Sequence, residues 1–99
     1  MLDREALRSA VAALCQRLGV RRLDLFGSAL TADFRPDSDV DVLVEFDRTG
    51  GDLFNRYFEL KEQLEALVGR PVDLVMADAI KNPYFKAAVE AQREQLYAA

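Results

Sequence analysis

The 99-residue chain contains no histidine and a single cysteine, Cys15. Without histidine, the commonest general base and the commonest transition-metal ligand are both missing. One cysteine leaves no intrachain disulfide and no thiolate zinc site. Acid–base or metal chemistry must therefore run on carboxylates, which select hard cations such as Mg²⁺ or Mn²⁺. There is no apolar run of membrane-spanning length, and the opening MLDREALRSA lacks the basic-then-apolar layout of a signal peptide. A cytoplasmic protein without membrane contact is expected. Positive charge is in the minority: 13 Lys and Arg against 17 Asp and Glu give a formal net charge of −4. That balance disfavours independent nucleic-acid binding, but not the gripping of one triphosphate beside a metal.

What is present reads as a folded protein. Hydrophobic residues make up 51% and charged residues 30%, and the length suits one domain over residues 1–99. Residues 3–18 predict an amphipathic helix with Asp3 as cap, Leu7, Val11, Leu14 and Leu18 as its stripe, and Gly19 as its stop. Residues 20–26 predict a strand. A turn at Arg35-Pro36-Asp37-Ser38 leads to a second strand over 39–46, with Val40, Val42, Val44 and Phe46 on one face and Asp39, Asp41, Leu43 and Glu45 on the other. Asp52 is the expected N-cap of a helix near 53–68 that ends at Gly69. A third short strand spans 71–76, and Asn82-Pro83 opens a last helix over 83–97. The order predicts an α/β (α+β) layer structure, with helices on a small three-stranded mixed sheet.

The chemistry concentrates between residues 27 and 73. Asp39 and Asp41 lie two apart on a strand, so both carboxylates project from one face. Two such charges repel, and a divalent cation reverses that cost. Asp73 sits between Val72 and Leu74, where an apolar residue would be ordinary and a carboxylate is costly unless it faces metal, partner or solvent. Adjacency of the second and third strands would bring the three carboxylates together. Gly27-Ser28 ends the first strand and opens a short helical turn, where backbone amides and the Ser28 hydroxyl suit a phosphate.

The stretch LFGSALTADFRPDSDVDVLVEF resembles the signature of the DNA-polymerase-β-like nucleotidyltransferase superfamily: Gly-Ser, ten residues, Asp-x-Asp, and a later lone Asp on a following strand. The chain is similar to the minimal nucleotidyltransferase (MNT) domain proteins of prokaryotes. That resemblance implies Asp39, Asp41 and Asp73 as catalytic residues and ligands of two Mg²⁺ (or Mn²⁺) ions, with Asp73 also accepting the proton of the attacking hydroxyl. It implies Gly27 and Ser28 as contacts to the triphosphate of ATP. Its expected activity is AMP transfer to a tyrosine of a HEPN-type ribonuclease toxin, for which the chain would be the antitoxin, in a homo- or hetero-oligomer. Many relatives place Ala-Arg-Gly after the Gly-Ser, where this chain has Leu30-Thr31-Ala32, so the loop arginine is replaced by Thr31; Arg35 is a nearby substitute. A non-catalytic antitoxin that works by binding is the alternative, and a small-molecule nucleotidyltransferase ranks last.

Simpler roles account for the remaining residues. Glu45 is expected to be solvated or ion-paired, Asp33 and Asp37 to be turn residues, and Cys15 to be a core side chain. Phe54, Tyr57, Phe58, Tyr84, Phe85 and Tyr97 are mostly expected in the core. Apolar residues on more than one face of helix 53–68 also raise the prospect of a partner-binding surface.

Overall fold

The computed structural model describes residues 4–27, 39–47, 49 and 51–99. The apolar stripes of the sequence form two helices laid on one face of a sheet. Helix α1 (Arg4–Leu18) turns Leu7, Val11, Cys15 and Leu18 inward, and α2 (Leu53–Val68) adds Leu60 and Leu64. Against them stand β1 (Val20–Phe26), β2 (Val40–Phe46) and β3 (Val72–Met76). Leu23 and Leu25 of β1, Val40, Val42 and Val44 of β2, and Val72 and Leu74 of β3 fill the same core. Full burial of one such side chain contributes about 2 kcal/mol, so this layer dominates stability.

The strand order is β3-β2-β1-β4, with β2 antiparallel to β1 and parallel to β3. The expected mixed sheet is therefore present, but among the described residues it has four strands rather than three. The helix predicted over 83–97 stops early: α3 is Pro83–Ala91, and Arg93–Ala98 form β4, antiparallel to β1. Residues 90–95 are good helix formers in isolation. Pairing wins because β1 otherwise presents an unpaired edge beside the core, and because β4 delivers Leu96 into that core.

Local signals at the helix ends met mixed outcomes. Asn82 caps α3 as predicted, its side-chain oxygen accepting from Tyr84 N (2.9 Å) and Phe85 N (3.3 Å), with Pro83 in the first turn. Asp52 precedes α2 but does not cap it by its side chain, which accepts instead from Asn55 Nδ2 at 2.9 Å. Arg56 fastens the neighbouring loops, donating to Leu18 O (3.2 Å), Asp47 O (2.8 Å) and Gly51 O (2.8 Å). Asp3, the segment over 28–38 with its predicted turn, Asp33 and Asp37 lie outside the described residues.

Burial pushes the Cys15 thiol up from its ordinary 9.0 to about 12. The native state thus keeps a proton that the unfolded chain releases near pH 9, so stability present below that pH is lost as pH climbs toward 12. The expected slope is ~1.4 kcal/mol per pH unit. Subtracting the denaturation curves of a Cys15→Ala variant from those of the wild type, between pH 8 and 11, isolates this contribution.

On the second face of the sheet the described residues form a smaller cluster. Its buried members are Phe26, Leu43 and Val89, Val89 being the one buried residue of α3. Phe85 meets Phe26 edge-on at 6.2 Å. Asp24, between Leu23 and Leu25, is fully buried and is the one buried charged or polar residue among those described. Arg93 of β4 donates to it from Nε at 2.6 Å and pairs through Nη2, and Arg22 Nε lies 3.0 Å away. The expectation that most of the aromatic set is core fails: Phe54, Phe58, Tyr84 and Phe85 are 73%, 45%, 86% and 43% exposed. Tyr57 and Tyr97 pack partly against the main core.

Candidate active site

Register assembles the site. Phe26 of β1 pairs with Asp41 of β2, and Asp41 pairs with Asp73 of β3, making one rung across three strands. Val40 N bonds Pro71 O at 3.0 Å one step earlier, which pins the parallel pair in this register. Alternation puts Val40, Val42, Val72 and Leu74 in the core and Asp41 and Asp73 on the opposite face. Asp39 immediately precedes β2, and the alternation carried one residue back assigns it to the same face. Adjacent strands are about 4.8 Å apart, so the carboxyl-bearing carbons of Asp41 and Asp73 are close neighbours. Asp41 is half-buried, while Asp39 and Asp73 are exposed. The adjacency of the second and third strands, on which the sequence reading depended, is present.

Gly27 follows Phe26 directly and has φ 67°, a left-handed conformation that a side chain rarely adopts. A Cβ at this position would come within 3.2 Å of Asp41 Cγ and nearer still to its Oδ2. The missing side chain is therefore what lets the end of β1 lie against the Asp41 carboxylate. Gly27→Ala is expected to lose about 1–3 kcal/mol by strain and overlap. Chemical denaturation checks it, and unchanged stability would deny the contact. Ser28, Thr31 and Arg35 lie outside the described residues.

Carboxylates placed opposite one another repel, at a cost of roughly 0.2–1 kcal/mol. Among the described residues no three His, Cys, Asp or Glu side chains are drawn close enough to share a metal ion. Like charges repel, which agrees with that spacing. The donor set nonetheless suits Mg²⁺ or Mn²⁺: it consists wholly of carboxylate oxygens, on one open face, beside the space that a Cβ at Gly27 would fill. Glu45, farther along β2, is exposed and lies 3.8 Å from Arg21 Nη1, an ion pair as expected. Sequence reasoning passed over Asp24, although its Leu-Asp-Leu setting carries the same signal that singled out Asp73. Its counter-ion Arg93 went unrecognised because β4 did.

A mixed sheet with helices on one face, and with acidic residues in register on the other beside a strand-ending glycine, is a nucleotidyltransferase fold. The nucleotidyltransferase domain family matches residues 7–95, and the chain belongs to that family. The protein adenylyltransferase MntA of Thermococcus cleftensis is 40% identical over 101 residues, 98% of this chain and 97% of its own. A Methanocaldococcus jannaschii relative, named as a candidate protein adenylyltransferase, is 38% identical over 88% of this chain and 87% of its own. A solved structure of a candidate minimal nucleotidyltransferase, 36% identical, superposes with a TM-score of 0.75 over 93% of this chain and 94% of that one. A Shewanella oneidensis MNT antitoxin solved with its tri-AMPylated HEPN toxin shares the fold at 20% identity, with a TM-score of 0.65 over 97% of this chain and 73% of that one.

Proposed function

We propose that this chain is a divalent-metal-dependent adenylyltransferase that moves AMP from ATP to a tyrosine hydroxyl of a HEPN-type ribonuclease toxin, as the antitoxin of that pair. The observation that carries this is the rung that sets Asp41 opposite Asp73 with Gly27 against the Asp41 carboxylate. Relatives named protein adenylyltransferase support the reaction, and the antitoxin solved with an AMPylated HEPN toxin supports the partner.

Asp39, Asp41 and Asp73 would hold two Mg²⁺ or Mn²⁺ ions, which would supply charge stabilisation to the displacement at phosphorus. Gly27 gives the phosphates close access to the backbone, and Ser28 adds a hydroxyl donor. The tyrosine oxygen bonds to the α-phosphorus as the bond to pyrophosphate breaks, and the phenolic proton passes to Asp73. Asp73 is exposed on the outermost strand, where a side chain from another protein reaches it. The cytoplasm, which supplies ATP and Mg²⁺, is the compartment this reaction needs.

The exposed Phe54, Phe58, Tyr84 and Phe85 favour a second reading, in which binding alone silences the toxin. One experiment separates the two. The chain, ATP, Mg²⁺ and a HEPN-type ribonuclease are incubated, and the ribonuclease is weighed by intact mass. An added AMP on tyrosine, absent when EDTA is included, supports transfer. An unmodified partner whose ribonuclease activity is still blocked leaves occlusion as the function.

A further inference from the structure

Asp73 is on β3, which among the described residues is at the sheet margin, with β2 as its one neighbour. An edge strand is the least constrained place for a residue that must hold position to a fraction of an ångström. Pro71 O accepts from Val40 N, so by alternation the backbone groups of residues 71, 73 and 75 face β2 and those of 72 and 74 face outward. Two of those outward groups, Val72 N and Leu74 O, are met by side chains. Glu65 Oε2 accepts from Val72 N at 2.9 Å, and Tyr57 Oη donates to Leu74 O at 2.6 Å. Both side chains come from α2, two turns apart, and they grip the residue on each side of Asp73.

We infer that Tyr57 and Glu65 are positioning residues for Asp73: they supply two of the hydrogen bonds that a further strand would make, fix β3 in register, and so hold the Asp73 carboxylate opposite Asp41. This rests on Asp73 being a metal ligand, as proposed above. Neither residue touches the reacting atoms. Tyr57 is secured in turn by its ring, which meets Phe58 at 5.1 Å and packs against the main core. Glu65 is flanked by Lys61 Nζ at 3.7 Å.

The test reads metal binding without turnover. Mn²⁺ is titrated into the full chain with α,β-methylene ATP, and free Mn²⁺ is followed by electron paramagnetic resonance. Tyr57→Phe keeps the ring and removes the donor, and is expected to weaken Mn²⁺ binding about five-fold, the equivalent of one hydrogen bond. Glu65→Ala is expected to do the same, and Glu65→Gln, which keeps an acceptor oxygen, to restore it. In an Asp73→Asn background neither change is expected to weaken binding further, because the ligand they position is gone. A merely structural role would give equal losses in both backgrounds, and that result overturns the inference. Should Asp73→Asn weaken binding while Tyr57→Phe and Glu65→Ala leave it unchanged, the inference falls and the site stands. Should Asp73→Asn alone change nothing, the metal site falls with it.

Discussion

Asp41→Asn is expected to abolish AMP transfer, by on the order of 10³-fold or more, while leaving the fold slightly more stable. The two effects share one cause. Asp41 is opposite Asp73 on the neighbouring strand, and neutralising its charge relieves the repulsion between the two carboxylates. Asparagine is nearly isosteric and fits beside Gly27, but it offers one neutral oxygen where the metal needs an anion, and so the charge stabilisation of the displacement is lost. Intact-mass assay of the partner gives the first number and chemical denaturation the second. Full activity in this variant would remove Asp41 from the chemistry. A large loss of stability would show instead that it is a structural residue.

Arg93→Ala is expected to cost about 3 kcal/mol of stability. Asp24 has no exposure and depends on two guanidinium groups. Arg93 is the better placed of these, with its side chain only 14% exposed against 42% for Arg22. Removing one partner leaves a buried charge partly uncompensated, which is the expensive way to break such a pair. The double variant Asp24→Leu, Arg93→Met keeps volume and removes both charges, so it should recover most of the loss. Urea denaturation of the two variants decides it. Equal destabilisation would show that packing, not charge, is what Arg93 contributes.

Most of the framework was legible because local signals and tertiary demands agreed. The alternation of Val40, Val42, Val44 and Phe46, the α1 stripe and the Asn82-Pro83 start each name an element that the structure contains. The failures lie where they disagree. Residues 93–98 have helical composition, and only the open edge of β1, far away in sequence, makes them a strand. Asp52 has the right chemistry for a cap but a left-handed backbone (φ 49°) that turns its side chain to Asn55 instead. Tyr84 and Phe85 are exposed because α3 meets the sheet chiefly through Val89, which pattern alone does not reveal. At the candidate site, the Asp-x-Asp spacing gave the shared face. Register of Asp41 with Asp73 depends on a parallel pairing that no local pattern encodes.

The late arrival of β4 has a consequence for synthesis on the ribosome. Asp24 and the arginine that neutralises it are 69 positions apart. Until that stretch has emerged, the first strand has one bare margin and a carboxylate with no adequate counter-ion, so the nascent sheet gains little by closing early. Such long-range closure slows assembly and makes the process nearly all-or-none.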